Sequence, residues 1–319
     1  MPRGGHVPRC RDRRSHPALS RRELGLRELL VIVGPTAAGK SAVALEVAER
    51  IGGMILSLDS MQVYRGMDIG TAKPSQAERQ RLPHAMIDLV DPSEEFSVRA
   101  FQQQARRIID EADIPVILAG GSGLHMRAVI DPMEFLPTDQ ELRRQLEAAE
   151  PDQLVSELLG ADPAAGDHVD LANPRRVIRA VEVLRLSGRA PSAVAADPHR
   201  AAVARYEALY PCRILGVDPD DDLAARIEDR IEVMVNAGLL DEVERLQGRM
   251  GRTASQAVGY SQLGPVVRGE AELADGLAAT RKATWELARR QRAWFRRDPR
   301  VRWVNPLQDD PVAAVMEFA

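Results

Sequence analysis

The length of 319 residues allows one large α/β domain with an appended or inserted second unit. Hydrophobic residues make up 45% of the chain and charged residues 28%, which is typical of a protein with an ordinary packed core. No apolar run approaches the ~20 residues of a membrane-spanning helix, so the sequence predicts no membrane association. The two cysteines, Cys10 and Cys212, exclude a disulfide framework and fit a reducing cytoplasm.

The net charge of −4 conceals two basic segments. Residues 1–27 carry eight arginines against two acids and lack both periodicity and the apolar run of a secretory signal, so we expect a disordered basic tail. Residues 280–303 carry nine lysines and arginines, also against two acids. Basic segments on a slightly acidic body favour a polyanionic partner, although a solvated charge run is the commoner explanation of either one.

The first part of the chain alternates buried, strand-like runs with helical patterns. The predicted strands are 28–34, a run ending at Asp59, 85–90, and 114–119, and the predicted helices are 40–51 and 97–112. Strands that alternate with helices indicate a parallel sheet with crossover connections. A ligand site is then expected at the carboxyl ends of the strands.

The alternation of strand and helix patterns ends near Pro132. Residues 138–200 are polar and helical, with no strong strand, whereas 212–219 returns to a strand pattern and is followed by predicted helices at 221–249 and about 271–297. The sequence therefore predicts an α/β fold whose core, residues 28–132 and 207–319, is interrupted by an all-helical insertion at 133–206.

One motif fits a phosphate-binding loop without exception. It follows a predicted strand, precedes a predicted helix, and consists of Gly34, Pro35, Thr36, Ala37, Ala38, Gly39, Lys40 and Ser41. Backbone N–H groups of such a loop point at an anion, the lysine adds charge and the serine hydroxyl can hold Mg²⁺. The core is therefore expected to be of the P-loop NTPase type. The motif is typical of ATP-binding proteins, but by itself it leaves the rest of the phosphate compound open.

Two further strand ends carry polar groups. Asp59 closes an apolar run and could be a metal-organising carboxylate, a helix cap or a general base. The segment "GMDIGTAKP" at 66–74 supplies Thr71 and Lys73, and the glycine-rich turn "GGSGLH" contains the hydroxyl of Ser122. Two such loops beside a P-loop indicate a site that faces the phosphates.

Several segments, in this order, resemble the tRNA dimethylallyltransferase family: "GPTAAGKS", "DSMQVYRGMDIGTAKP", "PHAMIDLVDPSEEFSV", "GGSGLH", "NPRRVIRAVEVLRLSG", "GLLDEV", "QAVGY" and "ATWELARRQRAWFRR". The resemblance covers about 30–305. It implies a prenyltransferase that moves a dimethylallyl group from dimethylallyl diphosphate to N6 of the adenosine 3′ to the anticodon of tRNA. The P-loop would then hold the diphosphate rather than ATP.

The resemblance also implies roles for individual residues. Lys40 stabilises the leaving diphosphate, Asp59 is the general base, Ser122 lies near the diphosphate and the amine, and Mg²⁺ is the cofactor. The tRNA anticodon stem-loop is expected to contact Asp59, Ser60, Met61, Gln62, Ser122, Arg143, Arg175, Arg176, Arg179, Gln256 and Arg289. Members of the family act as cytoplasmic monomers, and the same is expected here.

Some positions depart from the family pattern. Ser122 stands in place of Thr, His125 of Tyr, Ala85 of His or another polar residue, Ala293 of Thr, and Trp285 of an Arg that assists the diphosphate or the RNA. Loss of that cation is the most serious change. Arg281 and Arg289 lie one helical turn to either side of Trp285 and are candidates to compensate for it.

Three other functions remain open at this point. An adenylate isopentenyltransferase would prenylate free AMP or ADP, but it needs no helical insertion with arginines. A small-molecule kinase would need an Arg-rich lid and an adenine site, which the residues after Asp59 do not match. A weakly active or non-catalytic tRNA-binding relative is conceivable because of Trp285.

Overall fold

A computed structural model describes residues 28–317, so the basic tail predicted at 1–27 lies outside the described residues. Its strands are β1 Leu29–Val33, β2 Met54–Ser57, β3 His84–Ala85, β4 Val116–Gly120, β5 Cys212–Val217 and β6 Val301–Val304. They form one six-stranded sheet in the order β3-β2-β4-β1-β5-β6, and every pairing is parallel. The predicted α/β fold with a parallel-sheet core is confirmed.

The helices connect and cover these strands. They are α1 Lys40–Ile51, α2 Gln76–Arg81, α3 Val98–Glu111, α4 Gly123–Ile130, α5 Gln140–Glu147, α6 Pro151–Ala161, α7 Pro174–Ser187, α8 Pro191–Ala195, α9 Pro198–Ala204, α10 Leu223–Asn236, α11 Leu239–Leu246, α12 Tyr260–Val267, α13 Leu273–Phe295 and α14 Pro311–Met316. Within residues 28–317, no helix combines the length and the apolar character that crossing a membrane requires.

The central strand β1 is apolar throughout because both of its faces are covered. Successive side chains of a strand point to opposite faces of the sheet. Leu30 and Ile32 accordingly pack in the cluster that includes α1 and α14. Leu29, Val31 and Val33 pack in the larger cluster on the other face, which includes α3, α4 and α11 to α13. This burial explains why the segment reads as a continuous hydrophobic run.

Two of the predicted elements are wrong in extent. The strand predicted at 85–90 is reduced to His84–Ala85, because Met86 and Asp88 take positive φ values of 62° and 54° that are incompatible with an extended strand. The single helix predicted at 221–249 is two helices, α10 and α11, which are separated at Gly238 with φ 96°. Helices α2, α4, α12 and α14 and strand β6 are additional to the predicted elements.

Helices α5, α6 and α7 enclose a hydrophobic cluster of their own, formed by Leu146, Leu154, Leu158, Ala165, Val177 and Val181. A fully buried carboxylate, Glu182, lies beside it on α7. It accepts hydrogen bonds from Arg143 and Arg179, both at 2.6 Å, and from the backbone N–H of Asp139 at 3.0 Å. These bonds join the start of α5 to α7. The boundaries 133–206 of the helical insertion stay a prediction.

We predict that Glu182→Gln destabilises the protein by about 2 kcal/mol, the usual scale of hydrogen bonds to a charged group. Burial opposes the charged form of Glu182, but the bonds from Arg143 and Arg179 outweigh it and lower the pKa of this carboxyl below 4.5. A depressed pKa stabilises the fold above pH 4.5, and this contribution is lost as the pH falls through the folded-state pKa. Urea unfolding of the full chain at several pH values measures it.

The matched control is Glu157→Gln, which removes a partly exposed ion pair with Arg185 of α7. Its effect should stay below about 1 kcal/mol. Equal effects of the two substitutions would contradict the anchoring role of Glu182.

Candidate active site

Three loops meet at one edge of the sheet. The P-loop follows β1, Asp59 follows β2 and Ser122 follows β4, and β4 lies between β1 and β2. The register pairs Val33 with Gly120 and Ser57 with Ala119, so the three strands end at the same level. The carboxyl ends of parallel strands are the usual ligand site in such sheets. The structure thus brings the candidate catalytic residues to neighbouring positions.

The P-loop is held between two neighbours. Gly34 has φ 143°, and a Cβ atom at this position would lie 2.1 Å from the carbonyl oxygen of Val217 at the end of β5, so only glycine fits. The N–H of Thr36 donates to Gln291 Oε1 at 2.8 Å, and Lys40 Nζ donates to the carbonyl of Pro35 at 2.5 Å. The loop is therefore fixed by the adjacent strand and by α13.

Helix α13 also closes on the glycine-rich turn before α4. A Cβ atom on Gly121 would lie 2.4 Å from Gln291 Nε2, and one on Gly123 would lie 2.0 Å from the ring of Trp294. These glycines are thus required by close approach of the helix. Gln291 bridges the P-loop and this turn, and Trp294 is partly buried.

A negative charge faces two positive charges in the site. The pKa of Lys40 is lowered to about 7, mainly by burial and next by the charge of Arg230, while the Asp59 carboxylate acts in the opposite direction. Burial also lowers the pKa of Arg230, and Asp59 again opposes the shift. Within residues 28–317, Arg230 has no hydrogen bond or ion pair with another side chain, so its guanidinium is available to an anion.

Arg230 is a candidate site residue that the motifs alone do not reveal. It lies on α10 one turn after Arg226, whose Nε donates to the carbonyl of Ala37 in the P-loop at 2.9 Å. A signal is present in the sequence, because α10 follows β5 directly and carries two arginines at i,i+4 spacing over the sheet edge. Trp285 is 37% exposed, and Arg281, a candidate to compensate for it, is paired with Glu228 at 2.5 Å. The cation whose charge acts on Lys40 is Arg230 of α10.

The segment after β2 is braced by its own polar groups. Asp59 Oδ1 accepts from the N–H of Met61 at 2.8 Å, and Met61 packs on the core. Gln62 Oε1 accepts from Ser57 Oγ at 2.8 Å, and its Nε2 donates to the carbonyls of Thr71 and Ala72. The amide of Gln62 therefore holds the loop in place, and the contact of Gln62 with tRNA stays a prediction. Ser60 is partly exposed between them.

Two buried charged side chains hold the segment "GMDIGTAKP" in its conformation. Lys73, whose side chain is fully buried, donates to the carbonyl of Tyr64 and to the carboxylates of Asp68 and Asp88, all at 2.7 Å. Glu242 of α11 accepts from the N–H groups of Asp68, Ile69 and Gly70 at 2.9–3.0 Å.

Tyr260 supports the Glu242 carboxylate. Its hydroxyl donates to Glu242 at 2.5 Å, and its ring occupies the space that a Cβ atom on Gly70 would need. The segment "GMDIGTAKP" therefore fixes the loop that carries Asp59, and Lys73 is a structural residue.

The predicted tRNA contacts fall into two groups. Arg143 and Arg179 bind Glu182, as described above. Arg175 and Arg176 are exposed at the start of α7 and have no side-chain partner among residues 28–317. Together with Arg179 they line a cavity of about 1120 Å³ whose walls also include Phe135 and Val194. Gln256 and Arg289 are exposed elsewhere on the surface, so all these contacts stay predictions.

A sequence model of the IPP transferase family matches residues 62–298. The chain belongs to this family. A tRNA dimethylallyltransferase from Bifidobacterium animalis subsp. lactis is 41% identical, over 91% of this chain and 87% of the relative. One from Streptomyces griseus is 43% identical, over 87% of this chain and 90% of the relative.

Solved structures of IPP transferases agree with the fold. The full-length tRNA isopentenylpyrophosphate transferase of Bacillus halodurans is 34% identical with a TM-score of 0.66, covering 92% of this chain and 94% of its own. A eukaryotic dimethylallyltransferase is only 23% identical, but it superposes with a TM-score of 0.72 over 92% of this chain and 77% of its own. The second likeness supports the fold alone.

We predict that Lys40 titrates with a midpoint of about 7, the value to which burial and the charge of Arg230 lower its pKa. The chain has only three lysines, Lys40, Lys73 and Lys282, so ¹³Cε-lysine labelling gives a simple NMR titration, which Lys40→Met assigns. Arg230→Met should raise the midpoint because a positive neighbour is removed, and Asp59→Asn should lower it because a negative one is removed.

The control is Arg281→Met, which removes a cation bound to Glu228 and should leave the Lys40 midpoint unchanged. A midpoint near the ordinary lysine value of ~10.4 would contradict the charge arrangement.

Proposed function

We propose that this chain transfers a dimethylallyl group from dimethylallyl diphosphate to N6 of the adenosine 3′ to the anticodon of tRNA. The observation that carries the proposal is that Asp59, after β2, lies at the same edge of the sheet as the P-loop, where its charge and that of Arg230 both act on Lys40. Two cations suit a diphosphate, and a carboxylate after β2 suits an amine that must lose a proton. The names of the relatives, which match over most of the chain, support the same reaction.

The first half of the reaction concerns the leaving group. The bond between the allylic carbon and the diphosphate oxygen breaks, and its electron pair stays with the oxygen. Lys40, Arg230 and the N–H groups of the P-loop stabilise the negative charge that develops there. Since burial and the charge of Arg230 hold the pKa of Lys40 at about 7, an arriving diphosphate favours its protonated form.

The second half concerns the acceptor. The N6 lone pair forms the new C–N bond, and one N6 proton moves to the carboxylate of Asp59. General-base catalysis of this kind is typically worth ~10²–10⁴-fold in rate. Asp59 is held for this step by its hydrogen bond to Met61 and by the clamped loop behind it.

We propose Mg²⁺ as the cofactor, held by Ser41 together with the diphosphate. Within residues 28–317 there is no cluster of three or more acidic, histidine or cysteine side chains for a metal. Mg²⁺ fits such a site, because it usually keeps several waters and is bound by few protein groups plus substrate phosphates. Ser41 is exposed in the first turn of α1, directly after Lys40. When bound, the metal neutralises diphosphate charge.

The partner surface is proposed to lie on the helical insertion. Arg175 and Arg176 are exposed and unpaired among the described residues, so they are free to meet phosphates of the anticodon stem-loop. Arg143 and Arg179 keep Glu182 as a partner, and their remaining N–H groups would reach the RNA from this anchored position. We propose a cytoplasmic monomer, because its substrate is tRNA and one chain supplies all the groups invoked here.

Transfer to a free nucleotide is not favoured by the relatives, which are named for tRNA. A small-molecule kinase is disfavoured for the same reason. Both remain as outcomes of the assay below.

We predict that the protein transfers label from radiolabelled dimethylallyl diphosphate to unmodified tRNA and not to AMP. Asp59→Asn should lower kcat by about 10²–10⁴-fold because the base is lost, while tRNA affinity changes by less than about threefold. The matched control is Asp113→Asn, an exposed acid before β4 at the opposite edge of the sheet, which should be as active as the wild type.

Transfer of label to AMP would show that the acceptor is a free nucleotide and not tRNA. Binding of tRNA without transfer would indicate a non-catalytic relative. An Asp59→Asn enzyme within a few-fold of the wild type would refute the role of Asp59 as base.

We predict that the double variant Arg175→Ala/Arg176→Ala binds tRNA more weakly and with a shallower salt dependence. Each phosphate contact that is lost should reduce the slope of log K against log salt by about 0.7–0.9. Filter binding at several salt concentrations measures the slope. Arg185→Ala is the control, because that arginine of the same helix is already paired with Glu157. Equal slopes for the double variant and for Arg185→Ala would show that Arg175 and Arg176 do not contact tRNA phosphates.

A further inference from the structure

Among residues 28–317, the Ser122 side chain makes its hydrogen bonds with one residue, His125, which lies on the helix that Ser122 caps. Its Oγ lies 2.7 Å from Nδ1 of His125, one turn along α4, and also receives the backbone N–H of His125 at 3.5 Å. A serine hydroxyl rotates about χ1 among three staggered positions and about its C–O bond. The imidazole at 2.7 Å selects one of these arrangements.

The imidazole itself is held in one orientation. His125 is 7% exposed, and its ring meets the buried ring of Phe101 edge to face, with centroids 4.5 Å apart and planes at 81°. Phe101 lies on α3, so the packing of α3 on α4 fixes the orientation of the ring. The position of the Ser122 hydroxyl is therefore set by a rigid neighbour.

We infer that His125 is a positioning residue. Its Nδ1 accepts a hydrogen bond from the Ser122 hydroxyl and thereby turns a lone pair of Ser122 Oγ toward the acceptor amine. The inference rests on the proposed function. An N6 amine has two N–H bonds, of which one faces Asp59 and the other would donate to Ser122 Oγ. Both bonds would then be oriented, so that the nitrogen lone pair points at the allylic carbon.

The protonation state of the ring agrees with this arrangement. Burial lowers the pKa of His125 to about 4, with Asp59 acting in the opposite direction, so the ring is neutral near pH 7. A neutral imidazole carries one N–H, and an Nε2–H tautomer leaves Nδ1 free to accept. The alternative Nδ1–H tautomer would donate to Ser122 and turn the hydroxyl proton outward.

A double-mutant cycle tests the coupling. Ser122→Ala and His125→Phe should each lower kcat about 3–10-fold, the net worth of one hydrogen bond, with KM for dimethylallyl diphosphate within about twofold of the wild type. Because His125 acts through Ser122, the double variant should be no slower than Ser122→Ala alone. His125→Asn, which keeps a polar group near the place of Nδ1, should recover at least half of the lost kcat. If the double variant lost kcat by the product of the two single losses, the inference would be overturned.

NMR of the full chain tests the hydrogen bond without activity. In a ¹⁵N-histidine-labelled protein, with His125 assigned through His125→Phe, the ring should be the Nε2–H tautomer, and its Nδ1 shift should change in Ser122→Ala. It should not change in the control Ser187→Ala on α7. A protonated Nδ1 would overturn the inference. If the wild type shows this tautomer and shift but transfers nothing to tRNA, the proposed function fails and the Ser122–His125 pair stands.

Discussion

The common level at which β1, β2 and β4 end is the constraint on which the site depends, because it brings Asp59 to the edge of the sheet that carries the P-loop. The charge of Arg230 lowers the pKa of Lys40, and the Asp59 carboxylate opposes the lowering of the pKa of both Lys40 and Arg230. These residues come from three segments, the loop after β2, the P-loop and α10, so no local segment could hold them together. The parallel sheet does this by ending β1, β2 and β4 at one level.

Other buried charges are structural and serve this arrangement. Lys73 and Glu242 clamp the loop behind Asp59 through backbone carbonyl and N–H groups, and Glu182 joins two helices of the insertion. A buried charge is costly unless it is fully hydrogen-bonded, and each of these has several partners. Lys73 looks like a site residue in the sequence because it is polar and lies in a glycine-containing loop. The burial of these charges shows that they hold loops in position.

The fold was largely predictable where periodicity is strong. Strand β1, helix α1 and helix α3 follow the expected limits, because both faces of β1 are covered and the helices carry clear apolar stripes. Prediction failed where single residues with positive φ interrupt an apolar run, as at Met86 and Asp88, or where Gly238 separates two helices of similar pattern. Strand β6 was missed because "VRWV" is too short to stand out from the basic segment around it.

The sequence by itself determined the phosphate loop, the parallel-sheet core and the family, because these depend on short motifs and on local periodicity. Only the tertiary structure decided which cation accompanies Lys40, since Arg230 lies far along the chain and reaches the site through the packing of α10. It also separated Arg175 and Arg176, which are unpaired among residues 28–317, from Arg143 and Arg179, which bind Glu182. Pairing between distant side chains depends on where helices pack, and spacing along the chain does not encode it.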